Sequence, residues 1–234
     1  MSKEWYKYTI FISSTFRDMD AERDAIKFDV ISRLNWHYRS QRVSFQDVDL
    51  RIGINTESVS EEDSENMVLD VCLGNIDKAR PFFIGLLGHR YGWIPSEQRW
   101  SQIVSRLSKE KRLLVKDSCH CSVTEMEILY GAIGNNGKHL NHCLFFFRDE
   151  HSYDGMTESQ KLLFFNQDDI TNKLYTKEYL TKRENELKNR ILSVVWNQGK
   201  ELSCTGYSLK WDPYHSKFES TEKFAELVDR KSVV

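Results

Sequence analysis

The run Phe82-Phe83-Ile84-Gly85-Leu86-Leu87 constrains this chain more than any other segment. It holds no polar side chain, so a strand built from it has nothing to offer water on either face. Strands of that kind lie in the middle of parallel sheets that helices cover on both sides. Pro81 opens the run and Gly88 closes it, which predicts a central strand over residues 81–87.

Its neighbours are read by the same logic. Residues 8–13 are β-branched and aromatic, and 143–147 are apolar throughout, so both predict buried strands. Residues 48–54 alternate, with Val48, Leu50, Ile52 and Ile54 on one side and Asp49, Arg51 and Gly53 on the other. That predicts a strand with one polar face. Residues 203–211 predict a last strand, ended by Asp212-Pro213. Between the strands the period turns helical. Over 18–37 the buried stripe is Ala21, Ala25, Phe28, Ile31 and Leu34, with Asp20, Glu22 and Asp24 near the helix start, where the dipole favours anions. Residues 66–79 follow through Met67, Val71, Gly74 and Ile76, and 122–133 follow with Gly134 as the stop. Residues 58–65 are acidic and predict a loop, while 93–116 are amphipathic without a clean period. Residues 157–195 are long, charged and mostly helical, and 221–228 begin a final helix.

Strand and helix thus alternate, which predicts an α/β fold: a doubly wound, mainly parallel sheet with right-handed crossovers. Residues 1–150 form its core. Residues 151–234 form a helical extension of the same domain, with the last strand and helix. The final helix runs to Val234 without a polar tail, which predicts a further region beyond it.

Composition narrows the class. The 234 residues are 40% hydrophobic and 29% charged, ordinary for a globular protein with a sizeable core. A net charge of −2 carries no basic stripe of the kind nucleic acid demands. The Lys and Arg residues of 177–190 alternate with Glu178, Glu184 and Glu186, which predicts a solvated helix face. No apolar run is long enough for a membrane span, and Met1-Ser2-Lys3-Glu4 leads straight into a strand without a signal peptide. Five cysteines in no regular framework fit a reducing, cytoplasmic setting.

In an open α/β sheet the residues just beyond the carboxyl ends of strands bind ligands. Ser13-Ser14-Thr15 stand at such an end. Small hydroxyl residues there either leave backbone N–H groups open to a phosphate or cap the next helix. Arg17 follows, and a guanidinium fits phosphate bidentately. Gly85, Gly88 and Gly92 match neither the dinucleotide fingerprint nor a Walker A loop. They permit a tight turn, over which Tyr91 and Trp93 either pack or stack on a base or a nicotinamide ring. Ser122-Val123-Thr124-Glu125 fits a capping box, which gives Glu125 a structural task. Glu127 lies at the flank of the stripe Val123, Met126, Tyr130 and Ile133, either solvated or turned into a cleft. Cys119-His120-Cys121 and His139, His142 and Cys143 match no common zinc spacing, so no metal is expected.

Four of these segments together resemble a known family. They are Phe11-Ile12-Ser13-Ser14-Thr15-Phe16-Arg17-Asp18-Met19 with Glu22-Arg23; Asp49-Leu50-Arg51-Ile52-Gly53-Ile54; Phe83-Ile84-Gly85-Leu86-Leu87-Gly88 with Arg90-Tyr91-Gly92-Trp93-Ile94-Pro95; and Ser122-Val123-Thr124-Glu125-Met126-Glu127-Ile128. In that order they resemble the TIR-like domain at the N-terminus of NACHT-type and related STAND NTPases, including telomerase-associated WD-repeat proteins. The likeness covers about residues 8–150, and Trp211-Asp212-Pro213 also fits. It departs at Ile52, where the family often has an aromatic, and at His89, where it often has an acid.

The resemblance implies a flavodoxin-like sheet and an immune or signalling effector followed by an NTPase or sensor region. Some related domains cleave NAD with a glutamate on the helix after the third or fourth strand; others only self-associate. Glu127 matches that glutamate, with Glu125 next to it. NAD is then the substrate, with no resident cofactor. Cleavage of its nicotinamide–ribose bond passes through an oxocarbenium-like state that a carboxylate stabilises. Ser13, Ser14, Thr15, Arg17, Arg51, Tyr91 and Trp93 would bind the nucleotide. Sites of this type often need two protomers, so a homo-oligomer is the expected active form. The rival expectations are a non-catalytic interaction module and a domain that binds a nucleotide without cleaving it.

Overall fold

The computed structural model describes residues 4–48, 72–106, 109, 112, 120–137, 139–168, 175–219 and 221–232. The central sheet is β1 (Tyr6–Ser13), β2 (Val43–Val48), β3 (Phe83–Leu87), β4 (Cys143–Arg148) and β5 (Cys204–Tyr207). Their order is β2-β1-β3-β4-β5, and every neighbouring pair is parallel. This is the flavodoxin-like order of a doubly wound sheet, whose switch point lies between β1 and β3. All five residues of β3 are buried, as its composition requires.

Side-chain alternation divides the core into two layers. Phe11, Phe83 and Phe145 point to one face and form a ladder of rings, with centroids 5.7 and 6.2 Å apart. There they meet α2 (72–79), α3 (Glu97–Arg106), α4 (123–133) and α6 (Lys177–Asn197). Ile10, Ile12, Ile84, Leu86 and Phe146 point the other way, onto α1 (20–38) and α7 (Thr221–Ser232). The short helix α5 (Glu158–Lys161) lies in the chain between Tyr153 and Phe164, which form an aromatic cluster with Trp211. Trp211 lies on β6 (Lys210–Asp212), which pairs antiparallel with β7 (Lys217–Glu219).

Several sequence expectations are corrected. β2 starts at Val43 and not at Val48, and the remainder of 48–54 lies outside the described residues. The one strand expected over 203–211 is two, β5 and the start of the β6–β7 hairpin. Among the described residues of 157–195 the helices are α5 and α6, with turns and an isolated bridge at Phe165 after α5. α1 begins at Asp20 and contains one π-helical turn, Ile26–Val30. A π turn adds a residue to the helical cycle and shifts the phase. Ile26 and Val30 therefore face the core, whereas Phe28 is 64% exposed. The expected 66–79 helix is described only from residue 72, and the acidic stretch 58–65 lies outside the described residues.

β2 is an edge of the sheet among the described residues. Asn35 of α1 closes it: its amide donates to the Phe45 carbonyl at 3.0 Å, and its oxygen accepts the Phe45 N–H at 2.6 Å.

Candidate functional site

The carboxyl end of β1 brings the sequence motifs together. Ser13 and Glu127, 114 residues apart, meet there: the Ser13 hydroxyl donates to Glu127 Oε2 at 2.6 Å. Glu127 sits on α4 and is 3% exposed, so it is a buried carboxyl and not the flank residue that spacing suggested. Burial pushes its pKa from 4.5 up to about 7, against the pull of hydrogen bonds from Ser13 and Cys72 and of the Arg23 charge. The same burial holds the Cys72 thiol well above its ordinary range.

The hydroxyls of the β1–α1 turn bond within the chain. Ser14 Oγ donates to the Thr15 carbonyl at 2.8 Å and accepts from Arg23 Nε at 2.7 Å. Arg23 Nη2 also reaches the Ser14 carbonyl at 3.3 Å. Thr15 donates to Asp18 Oδ1 at 2.5 Å, and α1 receives no side-chain cap. Desolvation raises the Asp18 pKa from 3.8 to about 6. Arg17, next in line, is exposed on the rim. Arg51 lies outside the described residues.

Glu125 has a different task from the one its spacing implied. Ser122 caps α4 by accepting the Glu125 N–H at 3.1 Å, which is one half of the capping box. The Glu125 carboxylate turns instead to the Tyr91 hydroxyl, which donates to it in a very short bond, and to Arg183 Nη2 at 3.0 Å. Arg183 also donates to the Tyr91 oxygen, at 3.0 and 3.2 Å. Tyr91 is therefore a buried packing residue whose ring is closed to a ligand. Trp93 is 42% exposed, and its carbonyl accepts the Val123 N–H at the start of α4.

α6 fastens the segment after β3. Asn166 accepts the Tyr91 N–H at 2.8 Å, donates its own backbone N–H to the His89 carbonyl, and donates from its amide to Glu184 at 2.8 Å. Glu184 is buried beside Lys188, which corrects its expected place on a solvated face. His89 stacks on Phe165, and burial lowers its pKa from 6.5 to about 4, so it stays neutral at physiological pH. On the opposite side of the sheet Arg148 holds Glu22 through Nε at 2.7 Å and Nη2 at 2.5 Å, and Tyr207 donates to the same carboxylate at 2.6 Å. Arg148 Nη2 also donates to the Asp18 carbonyl at 2.7 Å, which ties the β1–α1 turn to β4. No cluster of metal-ligating side chains occurs among the described residues.

Apart from Tyr207, this arrangement lies inside the span of a known family model, the "Domain of unknown function (DUF4062)", which matches residues 9–203. The chain belongs to the DUF4062 family. Similar proteins include telomerase protein component 1 of Mus musculus, 29% identical, and of Rattus norvegicus, 30% identical. Each alignment takes in 96% of this chain and 8% of the relative. A TPR repeat-containing protein of Dictyostelium discoideum is 29% identical across 85% of this chain and 12% of its own length. The DUF4062 chain thus spans a small fraction of the relatives it matches. No solved structure matches it.

The DUF4062 site contains residues that sequence reasoning did not single out. Asp18 in the β1–α1 turn, Arg23 on α1 and Arg148 at the end of β4 are buried charges, and Arg183 and Glu184 come from the extension. Arg148 had one visible signal: a cation directly after the apolar run Cys143–Phe147 of a central strand. Arg183 and Glu184 had none, because a charged helix reads as solvated until its neighbours are known.

Proposed function

We propose that the carboxyl edge of the sheet is a nucleotide site that cleaves the nicotinamide–ribose bond of NAD when copies of the chain assemble. The observation that supports this reading best is the sealed Ser13–Glu127 pair at the end of β1, beside the switch point of the sheet. A carboxylate in a low-dielectric site stabilises a developing oxocarbenium charge strongly, because no water competes for it. Nicotinamide leaves as a neutral base from a cationic ring, so a single carboxylate suffices. Glu127 takes that part once ionised. Ser13 orients it, and the Arg23 charge favours its ionised form. Glu125 is already held by Tyr91 and Arg183, which leaves Glu127 as the reacting carboxylate.

Glu127 is 3% exposed in the single chain, so the turn above it moves before a ribose reaches it. On this reading assembly supplies that movement, and the dilute chain is silent. The same burial favours a second reading, in which the edge binds a nucleotide or a partner and cleaves nothing. An NTPase or sensor region elsewhere in the longer protein belongs to the proposal as the source of assembly. Nicotinamide release from NAD, measured with dilute and with artificially clustered protein, separates the two readings. Turnover in the clustered sample that Glu127→Gln abolishes supports the glycohydrolase. Its absence in both samples moves the assignment to the second reading. Because the ionised carboxyl is the reactive form, turnover falls as pH drops through about 7.

A further inference from the structure

The segments that follow β1 and β3 touch above the site. A methyl group on Gly92 would lie only 3.1 Å from Thr15 Cγ2, and Gly92 has a φ of +95°, a region that favours glycine. The residues immediately after this contact are both large aromatics. Phe16 is 40% exposed and Trp93 is 42% exposed, next to Ser13, Ser14 and Thr15, which are buried. One is held at its ring and the other at its backbone. Arg23 Cζ lies 5.4 Å from the Phe16 ring centroid and covers one face of the ring. The Trp93 carbonyl accepts the Val123 N–H at 2.9 Å and is fixed to the start of α4. Two cations lie in the same two segments, and the Arg90 charge acts on Asp18 of the β1–α1 turn. Arg17 is exposed next to Phe16, and the half-buried Arg90 donates to the Leu163 carbonyl at 2.9 Å.

We infer that Phe16 and Trp93 form the subsite for the planar base of a nucleotide, with Arg17 and Arg90 facing its phosphates. Partly exposed aromatics on a fixed backbone suit a flat heteroaromatic ring, and stacking on them tolerates several bases. Guanidinium groups beside them match the phosphate charge that such a ring carries. Tyr91, the aromatic between them in the chain, takes no part because its hydroxyl and ring are committed to Glu125 and Arg183. The inference rests on the nucleotide reading above but not on cleavage.

Titration calorimetry on the whole chain tests it, with ADP and nicotinamide mononucleotide as separate probes. The expected result is saturable binding of at least one probe. Phe16→Ala and Trp93→Ala each weaken it about five- to a hundredfold. Trp93→Phe, which keeps a ring, recovers most of the affinity. Trp36→Ala, which alters a residue 79% exposed on α1, leaves it unchanged. The probe that binds tells whether the adenine or the nicotinamide end occupies the rim. Affinities unmoved by both alanine variants overturn the inference, as does failure of both probes to bind at millimolar concentration. Binding without nicotinamide release leaves the subsite standing and removes only the glycohydrolase.

Discussion

Ionising Glu127 costs the fold stability, and the cost depends on pH. Its folded pKa of about 7 exceeds the ordinary 4.5, so the native state keeps a proton that the unfolded chain has released. Stability is fullest below pH 4.5 and falls as pH rises toward 7. Glu127→Gln removes this dependence. At pH 8 the variant is more stable than the parent by up to about 3 kcal/mol, and at pH 4 the two agree. Urea unfolding at both pH values checks this; an equal difference at the two would refute it. Asp18, raised from 3.8 to about 6, adds to the parent's slope in the same direction. His89, lowered to about 4, acts oppositely as pH falls below 6.5, which is why the comparison is made between variant and parent. Arg148 is a different case. Arg148→Met leaves the buried Glu22 carboxylate without its cation, and the expected loss is about 3–5 kcal/mol. Adding Glu22→Gln recovers part of it, as thermal melts of the single and double variants would reveal.

At the scale of elements, what the sequence disclosed depended on how local the cause was. β3 and β4 were legible because strands buried on both faces are apolar throughout. β2 was misplaced because an edge strand mixes burial classes: Val43–Val48 is mostly half-buried, while stronger alternation continues into the following residues. Phe28 was assigned inward because a fixed helical period cannot anticipate the residue that a π turn inserts. Ser13 and Glu127 were legible by type and by place at element ends. Their contact and burial were not, since these depend on Cys72 and α2 packing beside α4. Close approach of elements gives its own prediction. α4 reaches β3 at Gly131, where a methyl group would lie 2.5 Å from Phe83 Cε2. Gly131→Ala therefore overpacks the interface and costs about 1–3 kcal/mol, to be read from denaturant midpoints.

At the scale of the molecule, the extension is inseparable from the α/β core. Leu187, Ile191 and Val195 fill one layer, Phe224, Ala225 and Val228 fill the other, and β5 pairs with β4. A chain ended at residue 150 loses all of these and is expected to show no cooperative melt by circular dichroism, whereas the full chain does. No described helix is long and apolar enough to cross a membrane. One small contact also bears on what the edge of the sheet can accept. The outward N–H and carbonyl of Phe45 are both satisfied by Asn35, so a foreign strand arriving at β2 finds that part of the template occupied. Polymer growth by strand addition is thereby discouraged at this border of the sheet. A single amide on α1 thus acts as a safeguard against uncontrolled aggregation, and Asn35→Ala should raise light scattering before it lowers the melting temperature.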